Sequence, residues 1–298
     1  MTHHGHIPVL LEEVMQFLDI SRKGIYIDGT IGLGGHAHAI LSRNPKAELI
    51  GFDLDEHSLL EAKENLQPFA DRLELFHSDF RYFPDLKIDF SRVKGILIDL
   101  GLSSFQLDDP ERGFSFNQEG PLDMRMDQRS RITASKIINH YSESKLAEMF
   151  HSYGELRQSR RLAREVVSRR INRPIETTSQ LFHLVEEVCR WRAQKGKTHP
   201  AARVFQAIRI EINEELRFLE SFLERVTEKT APGARIVVIS FHSLEDRIIK
   251  HTFIRLASEM DAAPRLKILT RKPITPTTGE IEENFRARSA KLRAAERI

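Results

Sequence analysis

The chain has one cysteine, Cys189, among 298 residues. A single thiol excludes an internal disulfide and suits a reducing compartment. Nowhere do ~18 apolar residues follow one another, so no membrane-spanning helix is expected. The first residues, Met-Thr-His-His-Gly-His, lack the apolar stretch of a secretory leader. These absences together point to the cytoplasm. A charge excess is also missing. The formal net charge is +2, so only local charge carries information about partners. His3, His4 and His6 form the densest histidine group. They stand at a terminus expected to fray and are not read as ligands, so no metal is expected.

What is present begins with enough apolar residue, 40% of the chain, to bury the core of one large domain or two smaller ones. The most informative stretch is Ile25 to His36, Ile-Tyr-Ile-Asp-Gly-Thr-Ile-Gly-Leu-Gly-Gly-His. A short apolar run ends in Asp28, as a buried parallel strand would. Gly29, Gly32, Gly34 and Gly35 follow, and a helix is expected to start at His36. Glycines at a strand's carboxyl end let the backbone approach a ligand.

The glycine spacing is G-x-x-G-x-G-G, not the G-x-G-x-x-G of dinucleotide sites. No Lys or Arg stands by to meet a pyrophosphate. A second strand, Glu48 to Asp53, ends in an acid suited to ribose hydroxyls. A third, Leu73 to Phe76, leads to His77-Ser-Asp-Phe80. There Asp79 or the backbone could meet the edge of an adenine, and Phe80 its face. Three successive strand ends thus suit S-adenosylmethionine (SAM) better than NAD.

Strand and helix alternate from 25 to 104, which argues a doubly wound, mostly parallel α/β sheet of the Rossmann-like type. An amphipathic helix over Pro8 to Leu18 precedes it, and a helix over 57–66 lies within it. The fourth strand, Val93 to Leu100, carries Asp99. Residues 105 to about 125 read as an irregular loop, which in a compact domain is usually functional. Phe114 and Phe116 within it could stack on a base or anchor the loop. From 133 to about 200 the pattern is helical, with starts at Thr133 and Ser142. Arg157, Arg160, Arg161 and Arg164 would share a helix face, extended by Arg169 and Arg170, and such a stripe suits phosphates or is simply solvated. Cys189 reads as a packing residue.

A long helix is expected over 203–229, then a fifth strand, Arg235 to Ser240. Ser243 with Asp246 reads as a helix-capping pair opening the next helix, to Leu256. Leu266 to Leu269 suggests a sixth strand. The basic tail from Asn284 could reach phosphates or add a strand. The expected division is therefore residues 1–104 with 203–298 as a cofactor-binding core, and 105–202 as an inserted all-helical substrate-recognition domain.

Methyl transfer from a sulfonium is an in-line displacement that needs alignment and placed charge. Methylation at a ring carbon usually needs a covalent cysteine, and the sole cysteine lies in a helix of the insert. An exocyclic amine needs acceptors for its two N–H groups. Asp99, the carbonyls of Leu100 and Gly101, and Ser103 or Ser104 supply them. The target base must be unpaired or flipped out to enter.

Five stretches then resemble the bacterial small-subunit rRNA cytosine-N4 methyltransferase family, MraW/RsmH. They are His6-Ile-Pro-Val-Leu-Leu-Glu-Glu, Tyr26 to His36, Asp99 to Phe116 with Gly120 to Asp127, His199 to Ile210, and Ile239 to Arg247 with the closing Arg286-Ala-Arg-Ser. They span nearly the whole chain in the family's order. The resemblance implies a class I SAM-dependent methyltransferase fold. It implies that SAM is held by Gly34, Gly35, His36, Asp53, Phe80, Asp99 and Gln106, and that the product is methylated at N4 of a cytidine in the decoding region of 16S rRNA. Asp99, Gly101, Ser103 and Ser104 are the catalytic candidates. Phe114, Phe116 and the four arginines are the substrate candidates, with 16S rRNA or the small subunit as partner and a homodimer compatible. The chain departs from the family at Phe105, where a proline is expected.

Three rival readings stay in view. An NAD-linked dehydrogenase would need the missing fingerprint. A non-catalytic RNA-binding assembly protein would not need three intact strand ends. A DNA amine methyltransferase would carry an Asp/Asn/Ser-Pro-Pro-aromatic motif where this chain has Asp99-Leu-Gly-Leu. A Ser-His-Asp hydrolase is set aside because Ser240, His242 and Asp246 lack the G-x-S-x-G elbow.

Overall fold

The computed structural model describes residues 7–191, 198–258 and 263–298, so His3, His4 and His6 lie outside the described residues. The chain forms two compact units, Met1–Ser103 with Leu216–Ile298, and Ser104–Glu215. The first is built on strands β1 (Gly24–Asp28), β2 (Ala47–Asp53), β3 (Leu73–His77), β4 (Val93–Asp99), β5 (Arg235–Ser240), β6 (Leu266–Ile268) and β7 (Lys291–Arg297). They order as β3-β2-β1-β4-β5-β7-β6. The first five are parallel, and β7 runs antiparallel between β5 and β6.

The sheet is covered on both faces, which is why its strands read as apolar runs rather than alternations. Alternation persists in what each face packs against. Tyr26, Leu97 and Val237 join one core with Val14 and Leu18 of α1 (Leu11–Leu18) and Ile40 of α2 (Gly35–Arg43). Leu59 and Ala62 of α3 (Glu56–Asn65) belong to that core too. Ile27, Ile96, Ile98 and Val238 face the other way, into a second core that later helices close. Strand order reverses between β1 and β4. That switch point is where an open α/β sheet leaves a crevice at its carboxyl ends.

The second unit holds α4 (Ser104–Asp108), α5 (Ala134–His140), α6 (Glu143–Ser152), α7 (Ser159–Asn172), α8 (Thr178–Cys189) and α9 (Pro200–Asn213). Thr133 and Ser142 cap α5 and α6 as expected, accepting from the backbone N–H of Lys136 and Lys145. A capping box at Thr177 and Gln180 opens α8. Back in the first unit, α10 (Leu219–Lys229) and α11 (Ser243–Leu256) supply Phe222, Leu223, Ile249 and Phe253 to the second core, and α12 (Thr278–Glu283) precedes β7.

Four expectations need correction. The first helix begins at Leu11 rather than Pro8, because Leu10 takes a left-handed conformation, φ 53°. The helix expected over 203–229 is two helices. Glu214 sits at φ 49°, and the Asn213 side chain accepts from Met126 N–H at 2.9 Å and donates to Met124 C=O at 3.0 Å. The apolar spacing runs through this break and so concealed it. The loop from 105 is partly ordered by α4 and by a 3₁₀ turn, Pro110–Arg112. The cap of α11 is His242 with Glu245, not Ser243 with Asp246. His242 Nδ1 accepts from Glu245 N–H, and the Glu245 carboxylate, one methylene longer than Asp, reaches back to the N–H groups of Phe241 and His242.

Candidate functional site

The carboxyl ends of β1, β2 and β4 carry Asp28, Asp53 and Asp99. The loop after β1 folds over the end of β2, where Asp53 Oδ2 accepts from Gly32 N–H at 2.8 Å and Oδ1 accepts from Asp55 N–H at 2.9 Å. A carboxylate offers about four acceptor positions, so capacity for two hydroxyl donors remains. Burial raises Asp53 to about 6, against these two N–H groups that favour its charge. The loop then enters α2 through Gly34, whose φ of +86° a Cβ would strain. Gly35 is needed for closeness instead, since a Cβ there would lie 2.5 Å from Pro8 Cγ.

His36, on the first turn of α2, is buried. Its Nε2 lies 3.0 Å from Val9 C=O and must carry a hydrogen to donate there. Its Nδ1 therefore faces Asp99 Oδ2, 3.9 Å away. Asp99 is held by its own backbone, whose N–H donates to Thr30 Oγ1 at 2.7 Å. Asp99 Oδ1 is buried with no hydrogen-bond partner among the described residues. Burial pushes the Asp99 carboxyl well above the ordinary range, and the charges of Asp28 and Glu245 push it further. Asp28 is itself buried and raised to about 7. Asp99 thus belongs to a group of three acids that cannot all ionise cheaply. An acceptor left open in such a place is the mark of a group awaiting a donor.

Gly101 lies beyond β4 against the ring of Phe241, 3.2 Å from where a Cβ would stand. Phe80, half-buried after β3, meets Phe222 edge-on at 4.9 Å. Both Asp79 oxygens are engaged by Arg81. Its Oδ1 accepts from Arg81 N–H at 2.8 Å, and its Oδ2 accepts from the Arg81 guanidinium. Ser103 is the last residue of the first unit. Asp28, Thr30 and Glu245 went unremarked as site residues, although each lies within or beside a quoted motif. What sequence could not supply was that β1, β4 and the start of α11 bring their acids together.

The remaining candidates stand in the second unit. Ser104 is the first residue of α4, and Gln106 is buried on it. Phe114 is buried, with the Arg112 guanidinium 5.8 Å from its ring centre, so it anchors its loop. Phe116 stays half-exposed in a group of near-parallel rings with Phe182 and His199, at 5.7 and 6.0 Å. Arg160, Arg161 and Arg164 lie exposed on α7, whereas Arg157 precedes the helix in a turn and so is not part of one helical stripe. Arg169 and Arg170 do not extend the charge. Arg170 donates to the carbonyls of Ile138 and Tyr141 at 2.6 Å, and Arg169 pairs with Glu165 and Glu187. Cys189 is half-buried and its thiol is pushed up by desolvation, as a packing residue's would be.

A family profile described as the MraW methylase family matches residues 3–298. A ribosomal RNA small subunit methyltransferase H of Trichodesmium erythraeum is 46% identical over 294 residues, covering 99% of each chain. The protein of the same name from Carboxydothermus hydrogenoformans is 44% identical over 307 aligned positions, covering 99% of this chain and 98% of its own. Among solved structures, an rRNA methylase from Streptococcus thermophilus aligns over 99% of both chains at 10% identity, with a TM-score of 0.42.

Proposed function

The chain belongs to the MraW methylase family, and from that premise we propose that it transfers the methyl group of SAM to the exocyclic N4 of a cytidine in the decoding region of 16S rRNA. The observation that carries this reading is the Asp99 carboxylate: half-buried, crowded by two other acids, and with Oδ1 enclosed but lacking a hydrogen-bond partner among the described residues. No helix among the described residues is long and apolar enough to cross a membrane, and we place the enzyme in the cytoplasm with its substrate.

The residues present fit the cofactor. Around Gly32 a Cβ would meet nothing within 4 Å, so the loop keeps open space beside the backbone. Gly34 and Gly35 with His36 would lie along the amino-acid part of SAM, Asp53 would accept the ribose hydroxyls, and Phe80 would take a face of the adenine. When bound, SAM supplies an activated methyl on a sulfonium, whose positive charge suits a crevice lined by acids.

Asp99 Oδ1 accepts one N–H of the target amine and orients its nitrogen lone pair along the line of transfer. Bound SAM would supply the methyl group, and the amine nitrogen that receives it must shed a proton. In this reading the Asp99 carboxylate, placed against that nitrogen, is the group that takes it. The carbonyls beyond β4, at Leu100 and Gly101, with Ser103, complete the acceptor set for the second N–H. In the helical unit, Phe116 and Arg157, Arg160, Arg161 and Arg164 contact the RNA, making Ser104–Glu215 the substrate-recognition part.

The test is methyl transfer from labelled SAM to unmodified small ribosomal subunits, read by mass spectrometry of the nucleosides. N4-methylcytidine is expected. A methyl on a ring carbon or on ribose would overturn the reading.

A further inference from the structure

Phe285 is 70% exposed, the second most exposed of the large apolar side chains among the described residues. A lone exposed ring is ordinary on a protein surface. This one is held in place. It opens a 3₁₀ turn, Phe285–Ser289, whose Ala287 is fully buried and so pins the turn to the core. Asn284 caps the turn, accepting from Arg286 N–H at 3.2 Å. The Arg288 guanidinium lies 5.4 Å from the Phe285 ring centre, and Arg286 and Arg288 are both exposed.

The turn is also tied to the glycine loop. Asn284 Nδ2 donates to Ile7 C=O at 3.1 Å, and Glu280 on α12 accepts from Leu10 N–H at 2.7 Å. The same segment carries Val9, whose carbonyl meets His36, and Pro8, which packs on Gly35. After the turn, Lys291 begins β7 opposite Ser240, the last residue of β5. The turn therefore stands at the carboxyl-end side of the sheet, where Asp28, Asp53 and Asp99 lie.

We propose that Phe285, with Arg286 and Arg288, is a docking point for an unpaired nucleotide flanking the target in RNA, the ring stacking on its base and the guanidinium groups meeting its phosphates. This rests on the reading of the chain as an rRNA methyltransferase. A flipped target needs its neighbours held outside the crevice, and an aromatic ring with flanking arginines is the usual chemistry for a splayed strand. Glu282 and Glu283 are exposed on α12 beside the turn. The surface is thus not uniformly basic, and the ring with its two guanidinium groups carries the argument rather than net charge.

The experiment compares the full chain with Phe285→Ala, Phe285→Tyr and Arg286→Gln/Arg288→Gln. The probe is a single-stranded RNA about a dozen nucleotides long, from the decoding region, carrying 2-aminopurine in turn at each position beside the target cytidine. Phe285→Ala should weaken binding roughly tenfold and relieve fluorescence quenching at one flanking position. SAM affinity and melting temperature should stay unchanged, and Phe285→Tyr should restore both RNA readouts. The double arginine variant should reduce the salt slope of binding by about 1.4, from two phosphate contacts on a single strand. If the parent methylates small subunits while Phe285→Ala binds the RNA with unchanged affinity and quenching, the docking point is overturned and the function stands. If the parent transfers no methyl to small subunits, the reading and this proposal fail together.

Discussion

Charge is handled in opposite ways at the strand ends and along α7. At the ends of β1 and β4 acids crowd one another away from water, and Asp99 Oδ1 has no hydrogen-bond partner among the described residues. Along α7 arginines are plentiful and exposed, with Arg164 only 3.7 Å from Glu143 and Arg160 and Arg161 without an ion pair among the described residues. Desolvation makes each buried acid consequential, because its charge state depends on its neighbours. Water and salt screen an exposed arginine, so any one of them counts for little. Numbers of charges in a sequence are therefore a poor guide to where function lies.

This contrast can be tested by substitutions of graded effect. Asp99→Asn should sharpen it most. It keeps the shape and removes the proton acceptor, so methyl transfer to small subunits should fall by about 10²- to 10⁴-fold in single-turnover assays. Activity within twofold of the parent would remove Asp99 from the reaction. Asp53→Ala should come next, weakening SAM binding in calorimetry by roughly ten- to a hundredfold as charged hydrogen bonds to the ribose are lost. An unchanged affinity would break the link between the β2 end and the cofactor.

Asp28→Asn tests the energetic side. The folded value near 7 lies above the usual 3.8, so Asp28's contribution to stability is fully present below about pH 4 and is lost as pH rises through 7. The melting temperature of the parent should fall between pH 5 and pH 8, and Asp28→Asn should flatten that fall. Parallel pH profiles for the two proteins would show that Asp28 ionises without cost. Last and smallest, neutralising Arg160, Arg161 and Arg164 together should weaken RNA binding only a few-fold at physiological salt and lower its salt slope by about 2. No change in either would leave the helix face merely solvated.

Much of the first unit was legible because parallel strands covered on both faces must be apolar and must end in turns. The runs ending at Asp28, Asp53 and Asp99 could hardly have been anything else. The glycine loop was legible for a similar reason, although the close packing of Gly35 on Pro8 was not. The helix break at Asn213 was not legible. A side chain recruited by the distant backbone of Met124 and Met126 leaves no trace in apolar spacing. Nor was the fate of Arg170, whose guanidinium is used by two carbonyls of neighbouring elements, or of Asp79, claimed by Arg81. For the tail from Asn284 both alternatives were open. Lys291–Arg297 became a strand, and the basic turn before it remained at the surface.

Local pattern by itself determined which segments are strands, which residues end them, and the family to which their motifs belong. It did so because periodicity and turn chemistry act between near neighbours in the chain. Only the tertiary structure decided that Asp28, Asp99 and Glu245 share one buried place, and which arginines are left to face solvent. Electrostatic energy depends on distance and dielectric, and both are created when segments far apart in sequence are brought together.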